Sequence, residues 1–307
     1  MENANTVQGR FEKMRRVLNF GSINIDNVYT VEHFVRPGET ISALEMEVFP
    51  GGKGLNQSVA LARAGAEVYH AGKIGKDGAF LLQLLRSVGV DVSCVETING
   101  KTGKAIIQVE EASGENCILL YHGANWQMTE LYIDEVLSGF SGQEIVVVQN
   151  EINHVSYLLE KAWKKGMSVA FNPSPVQENL KECNLEHVTW LILNEVEGQA
   201  LTGKEQPEEM IQTLLDRYPA LKIVLTIGKQ GAVYADKETC FHQPACDAEV
   251  VDTTGAGDTF AGYFIAAMAR GDSPRQAMQE ASRASAIAVS RPGAAVSIPT
   301  RDEVLES

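Results

Sequence analysis

The segment Val251-Asp252-Thr253-Thr254-Gly255-Ala256-Gly257-Asp258-Thr259-Phe260 leads directly into a run of small apolar residues with helical spacing. A glycine-rich turn at a helix start leaves backbone N–H groups free beside the positive end of the helix dipole. Missing side chains then let an anion approach the main chain. The amides of Gly255, Ala256, Gly257 and Asp258 therefore make a candidate anion hole suited to phosphate. Asp258 sits where a bound anion would repel it. It is either a helix cap or a base acting on a group that meets the phosphate, and for an isolated Gly-x-Gly-Asp the two readings stand level.

A second glycine cluster, Phe49-Pro50-Gly51-Gly52-Lys53-Gly54-Leu55-Asn56-Gln57, also opens a helical pattern. It reads either as a tight loop with a surface lysine or as backbone plus Asn56 and Lys53 around a polyhydroxyl ligand. Amides and carboxylates suit such ligands because each can serve adjacent hydroxyls in fixed geometry. Asn24 and Asp26, at the end of the first strand pattern, and Glu151, just past a later one, supply more of these groups. Ligands of open α/β sheets bind outside the carboxyl ends of the strands, where all these residues fall. Asn194-Glu195-Val196-Glu197 follows another strand pattern, with Asn194 and Glu197 on one face of a first helical turn. They are either oxygen ligands for Mg²⁺, direct or through water, or a helix start with an asparagine cap. Thr226-Ile227-Gly228-Lys229-Gln230-Gly231 places a threonine and glycines to touch a nucleotide, a weak signal alone.

Positioning these groups requires short β-rich runs alternating with helices, the pattern of a mainly parallel sheet covered on both faces. Strands are predicted at 17–25, 67–74, 145–149, 168–172, 190–193 and 223–227. Helices are predicted at 56–64, 80–88, 155–165, 195–202, 208–217, 259–269 and 274–289. Residues 29–49 carry β character without a crossover helix, and 104–111 with 116–121 read as a hairpin around Ala112-Ser113-Gly114-Glu115. The expected organisation is a disordered N-terminal tail at 1–16 and an α/β core from 17–28, 50–98 and 124–307. A discontinuous β lid comes from 29–49 and 99–123. A small sheet of this kind has one open face, so a homodimer through the lid is expected.

The 307 residues include 26 Lys+Arg against 40 Asp+Glu, a formal charge of −14, with no basic block of the kind that nucleic acid or an anionic membrane surface would attract. Cys94, Cys117, Cys183, Cys240 and Cys246 are scattered without metal-ligand spacing, which fits a reducing compartment. Residues 1–16 are polar and lack the apolar core of a signal peptide, and no stretch has the apolar length of a membrane span. A cytoplasmic protein is expected. The Gly255-x-Gly257 pair lacks the third glycine of a dinucleotide fingerprint, and no GxxxxGK[ST] loop is present.

Taken together, the segments from about residue 17 to 299 resemble the ribokinase family, also called the PfkB carbohydrate kinases. Gly51–Asn56 and Asp252–Asp258 match the two family signatures, in order. Pro37-Gly38-Glu39-Thr40, Gly123-Ala124-Asn125 and Asn172-Pro173 match the ribokinase pattern within the family. The resemblance implies a three-layer α/β/α sandwich with a small β-sheet lid, acting as an ATP-dependent kinase on the 5-hydroxymethyl of D-ribose. Another sugar or a nucleoside is the alternative substrate, and a non-catalytic sugar-binding regulator the alternative class. It implies a sugar site from Asn24, Asp26, Gly52, Lys53, Asn56, Glu151 and Asp258, with Asp258 as base. The ATP site would comprise Asn194, Thr226, Gly228, Lys229, Gly231, Gly257 and Ser282, with Glu197 linked to Mg²⁺. A K⁺ site would draw on Asp252, Thr254, Ala288, Arg291, Gly293 and Ser297, several through carbonyls. Leu55, where these proteins usually carry alanine, and Asn27-Val28-Tyr29 depart from the pattern near the sugar or lid.

Overall fold

The computed structural model describes residues 14–307. In chain order the first half contains β1 (Val17–Phe20), β2 (Asn24–Val31), β3 (Glu45–Gly51), α1 (Lys53–Arg63), β4 (Val68–Gly75), α2 (Ala79–Ser87), β5 (Asp91–Ile98), β6 (Gly103–Glu110), β7 (Asn116–Tyr121) and α3 (Glu130–Ser138). The second half contains β8 (Ile145–Gln149), α4 (Val155–Lys164), β9 (Ser168–Asn172), β10 (Trp190–Asn194), α5 (Glu195–Thr202), α6 (Pro207–Arg217), β11 (Lys222–Thr226), β12 (Ala232–Ala235), β13 (Cys240–Gln243), α7 (Ala256–Arg270), α8 (Pro274–Val289) and α9 (Arg301–Glu306).

Nine strands form one sheet in the order β13-β12-β11-β10-β9-β8-β1-β4-β5. It is parallel from β11 to β5, and β12 and β13 extend it antiparallel. The central strands are apolar runs buried on both faces, as parallel strands covered by helices must be, and every residue of β8 (Ile-Val-Val-Val-Gln) is buried. Alternate side chains feed two cores. Val17, Val147 and Ile192 join α1, α7 and α8 on one face, while Leu18, Val148 and Leu193 join α3, α4 and α6 on the other. The three layers expected from the resemblance are present.

The predicted strand 17–25 is two strands in two sheets. β1 ends at Phe20, and after Gly21-Ser22-Ile23 the chain enters a separate four-stranded sheet of order β3-β2-β6-β7. A side chain at Gly21 would collide with Gly54 and Gln149, so glycine lets the start of α1 press against the turn. Asn24 and Asp26 therefore belong to the small sheet and do not end a strand of the large one. That sheet also begins five residues earlier than the lid boundary expected at residue 29. The lid pairs β2 antiparallel with β3 and parallel with β6. All six residues of β7 are exposed, Ile118 and Leu119 among them.

The expected tail lies largely outside the described residues. Within them, Arg15 bonds the carbonyls of Gln143 (2.7 Å) and Glu144 (3.0 Å), and Arg16 pairs with Glu144 at 2.6 Å. Those two residues are thus tied to the core, because the buried Glu144 needs a cation. No helix among the described residues is long and apolar enough to cross a membrane.

Candidate active site

The glycine cluster Gly51–Gly54 turns β3 into α1. Gly52 is the N-cap at φ 91°, a left-handed value that disfavours other residues. Gly51 leaves room for Asp26, whose carboxylate lies where a Gly51 side chain would be. The turn is clamped from the large sheet by Glu151, just past β8, whose Oε2 accepts the Lys53 N–H at 2.9 Å and the Ser22 hydroxyl. Asn24 is fixed from the lid base, its Oδ1 accepting from Asn125 Nδ2 at 2.7 Å. The structure thus gathers Asn24, Asp26, Gly52, Lys53, Asn56 and Glu151 around one place between lid and sheet.

Two buried acceptors there, Asp26 Oδ1 and Asn56 Oδ1, have no partner among the described residues. Orphaned buried acceptors are rare in native proteins, and both are acceptors of the kind that the hydroxyls of a polyhydroxyl ligand would satisfy. Burial, with the nearby Glu151 charge, pushes the Asp26 carboxyl up to about 7. Burial also raises Glu151, and the Lys53 charge, the Ser22 hydroxyl and the Lys53 N–H only partly offset it. Burial pulls the Lys53 ammonium down, but Asp258, Glu151 and Glu197 outweigh this and raise it, so the lysine stays charged among carboxylates.

Asp258 lies in the first turn of α7, 6% exposed. It is not a cap: the N-cap is Gly255 at φ 75°, and no side chain caps this helix. The carboxylate instead faces α1, accepting from Asn56 Nδ2 and Gln57 Nε2, each at 3.0 Å. Of the expected anion-hole amides, that of Ala256 reaches Thr253 O at 3.2 Å. Those of Gly255, Gly257 and Asp258 find no acceptor among the described residues. These three donors at the positive end of a 15-residue helix are the part of the turn free to hold phosphate.

Beside them opens a cavity of about 740 Å³, within the range of small-molecule sites. Asn194, Thr226, Gly228, Lys229, Gly231, Gly257 and Ser282 all line it. The sequence reading did not single out Val250, Phe260, Ala286 and Val289, which give it an apolar wall suited to an aromatic base. They are ordinary core types that carry no chemical signal. Ser282 Oγ donates to Pro244 O at 3.1 Å and so holds one rim.

For Mg²⁺ the fit is partial. Asn194 and Glu197 form a capping box, Glu197 N–H donating to Asn194 Oδ1 (3.1 Å) and Asn194 N–H to Glu197 Oε2 (2.7 Å), so the capping alternative applies to both. Glu197 Oε1 remains available, and no cluster of three metal-ligating side chains exists among the described residues. One carboxylate plus nucleotide phosphates is a common Mg²⁺ environment. Asp252 Oδ1 accepts from Thr254 N–H (2.8 Å) and Oδ2 from Gly293 N–H (2.9 Å), tying the anion loop to 291–297. Burial raises this carboxyl, but those bonds outweigh it and hold it below the usual range. The Ala288 carbonyl accepts the Arg291 N–H at 3.1 Å, while the Arg291 guanidinium turns away to Glu303 at 2.7 Å. Ser297 Oγ donates to Ala294 O at 2.8 Å. The hard oxygens available are thus mainly carbonyls, each with a second lone pair.

This geometry agrees with what the chain is similar to. It is 35% identical over 297 residues to the ribokinase of Bacillus subtilis, covering 95% of this chain and 99% of that protein. The crystal structure of ribokinase from Cryptococcus neoformans in complex with ADP superposes with a TM-score of 0.82 at 34% identity, covering 95% and 99% of the two chains. That of Arabidopsis thaliana ribokinase complexed with ribose and ATP gives 0.84 at 29%, covering 96% and 98%. Residues 14–301 match the pfkB family carbohydrate kinases, and the chain belongs to that family.

Proposed function

We propose that this carbohydrate kinase transfers the γ-phosphoryl of ATP to the 5-hydroxymethyl of D-ribose, giving D-ribose 5-phosphate. The observation that carries the reading is the position of Asp258. Its carboxylate bonds Asn56 of the polyhydroxyl site, while the adjacent Gly257 lines the nucleotide cavity. Similarity to ribokinases over nearly the whole chain supports ribose as the sugar. Phosphoryl transfer passes through a loose transition state, so alignment and charge stabilisation dominate. Asp258 orients the attacking hydroxyl and accepts its proton late. The Gly257 and Asp258 amides donate to the phosphoryl oxygens as charge builds there. Mg²⁺, when bound with the nucleotide near Glu197, neutralises phosphate charge. The lid strand β2, carrying Asn24 and Asp26, closes the sugar away from water that would otherwise hydrolyse ATP. ADP release screened over pentoses, hexoses and nucleosides tests this reading. Ribose should be the best acceptor, and a nucleoside or fructose exceeding it more than about tenfold, beyond what one lost contact explains, would overturn it.

Sugar affinity is expected to depend on pH. Ionised Asp26 accepts sugar hydroxyls better than the neutral acid, and its carboxyl titrates at about 7. Sugar binding therefore favours the ionised form: affinity rises from pH 6 to 8, and binding below pH 7 releases a proton. Calorimetry in buffers of different ionisation enthalpy checks this, and Asp26→Asn should abolish the proton release.

Potassium is the proposed activator, held by carbonyls of 288–297 and Asp252, where it would order the anion loop without touching substrate. Replacing Na⁺ by K⁺ at constant ionic strength should raise kcat, and Asp252→Ala should flatten the response. The chain is further proposed to act in the cytoplasm as a homodimer through the lid. The exposed Met46, Val48, Ile106 and Leu119, which share one face of the small sheet, support this, since a small sheet with an apolar face uncovered is marginal alone. Light scattering at micromolar concentration should give twice the 33.4 kDa chain mass.

A further inference from the structure

Behind Asp258 runs a chain of buried amides that the reaction as described does not use. Gln57 Nε2 donates to Asp258 Oδ1 at 3.0 Å, and Gln57 Oε1 accepts from Gln149 Nε2 at 2.7 Å. Gln149 Nε2 also donates to Asn19 Oδ1 at 2.9 Å. Asn19 Nδ2 in turn donates to the Gly54 carbonyl and to Ser58 Oγ, each at 2.8 Å. Ser58 Oγ lies 2.7 Å from His70 Nδ1. Asn19, Gln57, Ser58, His70 and Gln149 are all at most 1% exposed.

The direction of donation along this chain is determined. Asn19 Nδ2 donates to the Gly54 carbonyl, which can only accept, so Asn19 Oδ1 is left to accept from Gln149 Nε2. Each amide then has one orientation that pairs it with the next, with Gln149 Oε1 left without a partner among the described residues. The last of them presents the Gln57 N–H, never its carbonyl, to the carboxylate. The chain spans the carboxyl ends of adjacent strands, Asn19 from β1 and Gln149 from β8, with Gln149 in register with Asn172 of β9. It thereby references a side chain on α7 to the rigid centre of the sheet. Asn56, the other donor to Asp258, has no such anchor: its own Oδ1 is unpartnered and available to sugar.

We propose that Gln57 is a positioning residue for the base, and that Gln149 and Asn19 lock its amide so that Asp258 keeps one rotamer while Asn56 serves the sugar. Fixing Asp258 Oδ1 from behind leaves Oδ2, which accepts from Asn56 Nδ2, to take the incoming hydroxyl as well. This rests on the kinase reading above and adds residues to it. Loss of one hydrogen bond to a charged group corresponds to about 10- to 100-fold in rate.

The test is a double-mutant cycle on the full chain, reading kcat, KM for ribose, KM for ATP and the melting temperature. Gln57→Met should lower kcat about 10- to 100-fold and move either KM less than about threefold. Gln149→Met leaves the Gln57 donor in place but frees its amide to turn, so kcat should fall less, about 3- to 10-fold. Because Gln149 acts only through Gln57, the double variant should be no slower than Gln57→Met alone. Additive losses in kcat, or losses that follow KM or the melting curve, overturn the proposal. So does a Gln57→Met enzyme within twofold of the parent. Should Gln57→Met not fold, Gln149→Met decides alone, with an unchanged kcat counting against the idea. An unmodified protein that phosphorylates no ribose defeats the kinase reading instead, so the two failures are distinguishable.

Discussion

Asp258→Asn is expected to lower kcat by about 10²–10⁴-fold, the usual scale for removing a general base, while the protein stays folded. The substitution keeps size and shape but replaces one carboxylate oxygen by an amide donor. Two donors now face the carboxylate, Asn56 Nδ2 and Gln57 Nε2. Asn56 can turn its unpartnered Oδ1 toward the new N–H, so only modest stability is lost, about 1–2 kcal/mol for an altered buried bond. ATP affinity should hold or tighten, because a negative charge beside the phosphates has gone. Ribose affinity should fall slightly through the changed contact with Asn56. Steady-state kinetics, calorimetry with each ligand and a melting curve check all of these. A variant with near-parental kcat would leave Asp258 as a structural residue, although the helix itself gives it no capping role.

Gly257→Leu should separate folding from phosphate binding more sharply still. A Cβ built at Gly257 meets no described atom within 4 Å, and this glycine lines the cavity proposed for the nucleotide. Its φ is not left-handed, so a larger residue is compatible with the backbone, and leucine is a better helix former than glycine. Stability should therefore hold or rise by about 0.5–1 kcal/mol. The side chain, however, would occupy the space in front of the free Gly257 and Asp258 amides. Displacing the transferred phosphoryl by even about 1 Å costs on the order of 10²-fold in rate, so kcat/KM for ATP should fall at least that far. Ribose binding, proposed for the far side of Asp258, should be nearly unchanged. The neighbouring Gly255 behaves oppositely. Its φ of 75° and its contact with Ala294 mean that a side chain there strains the loop itself.

Local sequence carried much of the architecture. The buried strands Ile145–Gln149 and Ser168–Asn172 and the helices Glu195–Thr202 and Pro274–Val289 follow from continuous apolar runs, helical periodicity and capping residues within a few positions of one another. The glycine turns could be read as ligand loops for the same reason, since positive φ and missing side chains are local requirements. The outer strands of the large sheet were not legible, although the lid's edge strand Asn116–Tyr121 was. The strand Asp91–Ile98 alternates like a surface segment, and Ala232–Ala235 and Cys240–Gln243 are too short to show a period.

The break between Phe20 and Asn24 was invisible because a strand's pattern does not say which sheet it joins. Whether Asp258 caps its own helix or turns to another element was also open in one dimension. Packing α1 against α7 settles it by bringing Asn56 and Gln57, some two hundred positions away, onto the carboxylate. Asn19 and Gln149 carry no motif that marks them, and Gln57 only closes the second glycine cluster, with no role of its own legible there. Each looks like an ordinary polar residue in an element interior, and its partner is set by which strands lie side by side. Hydrogen bonds between buried amides depend on distance and direction in space, and sequence separation contains neither.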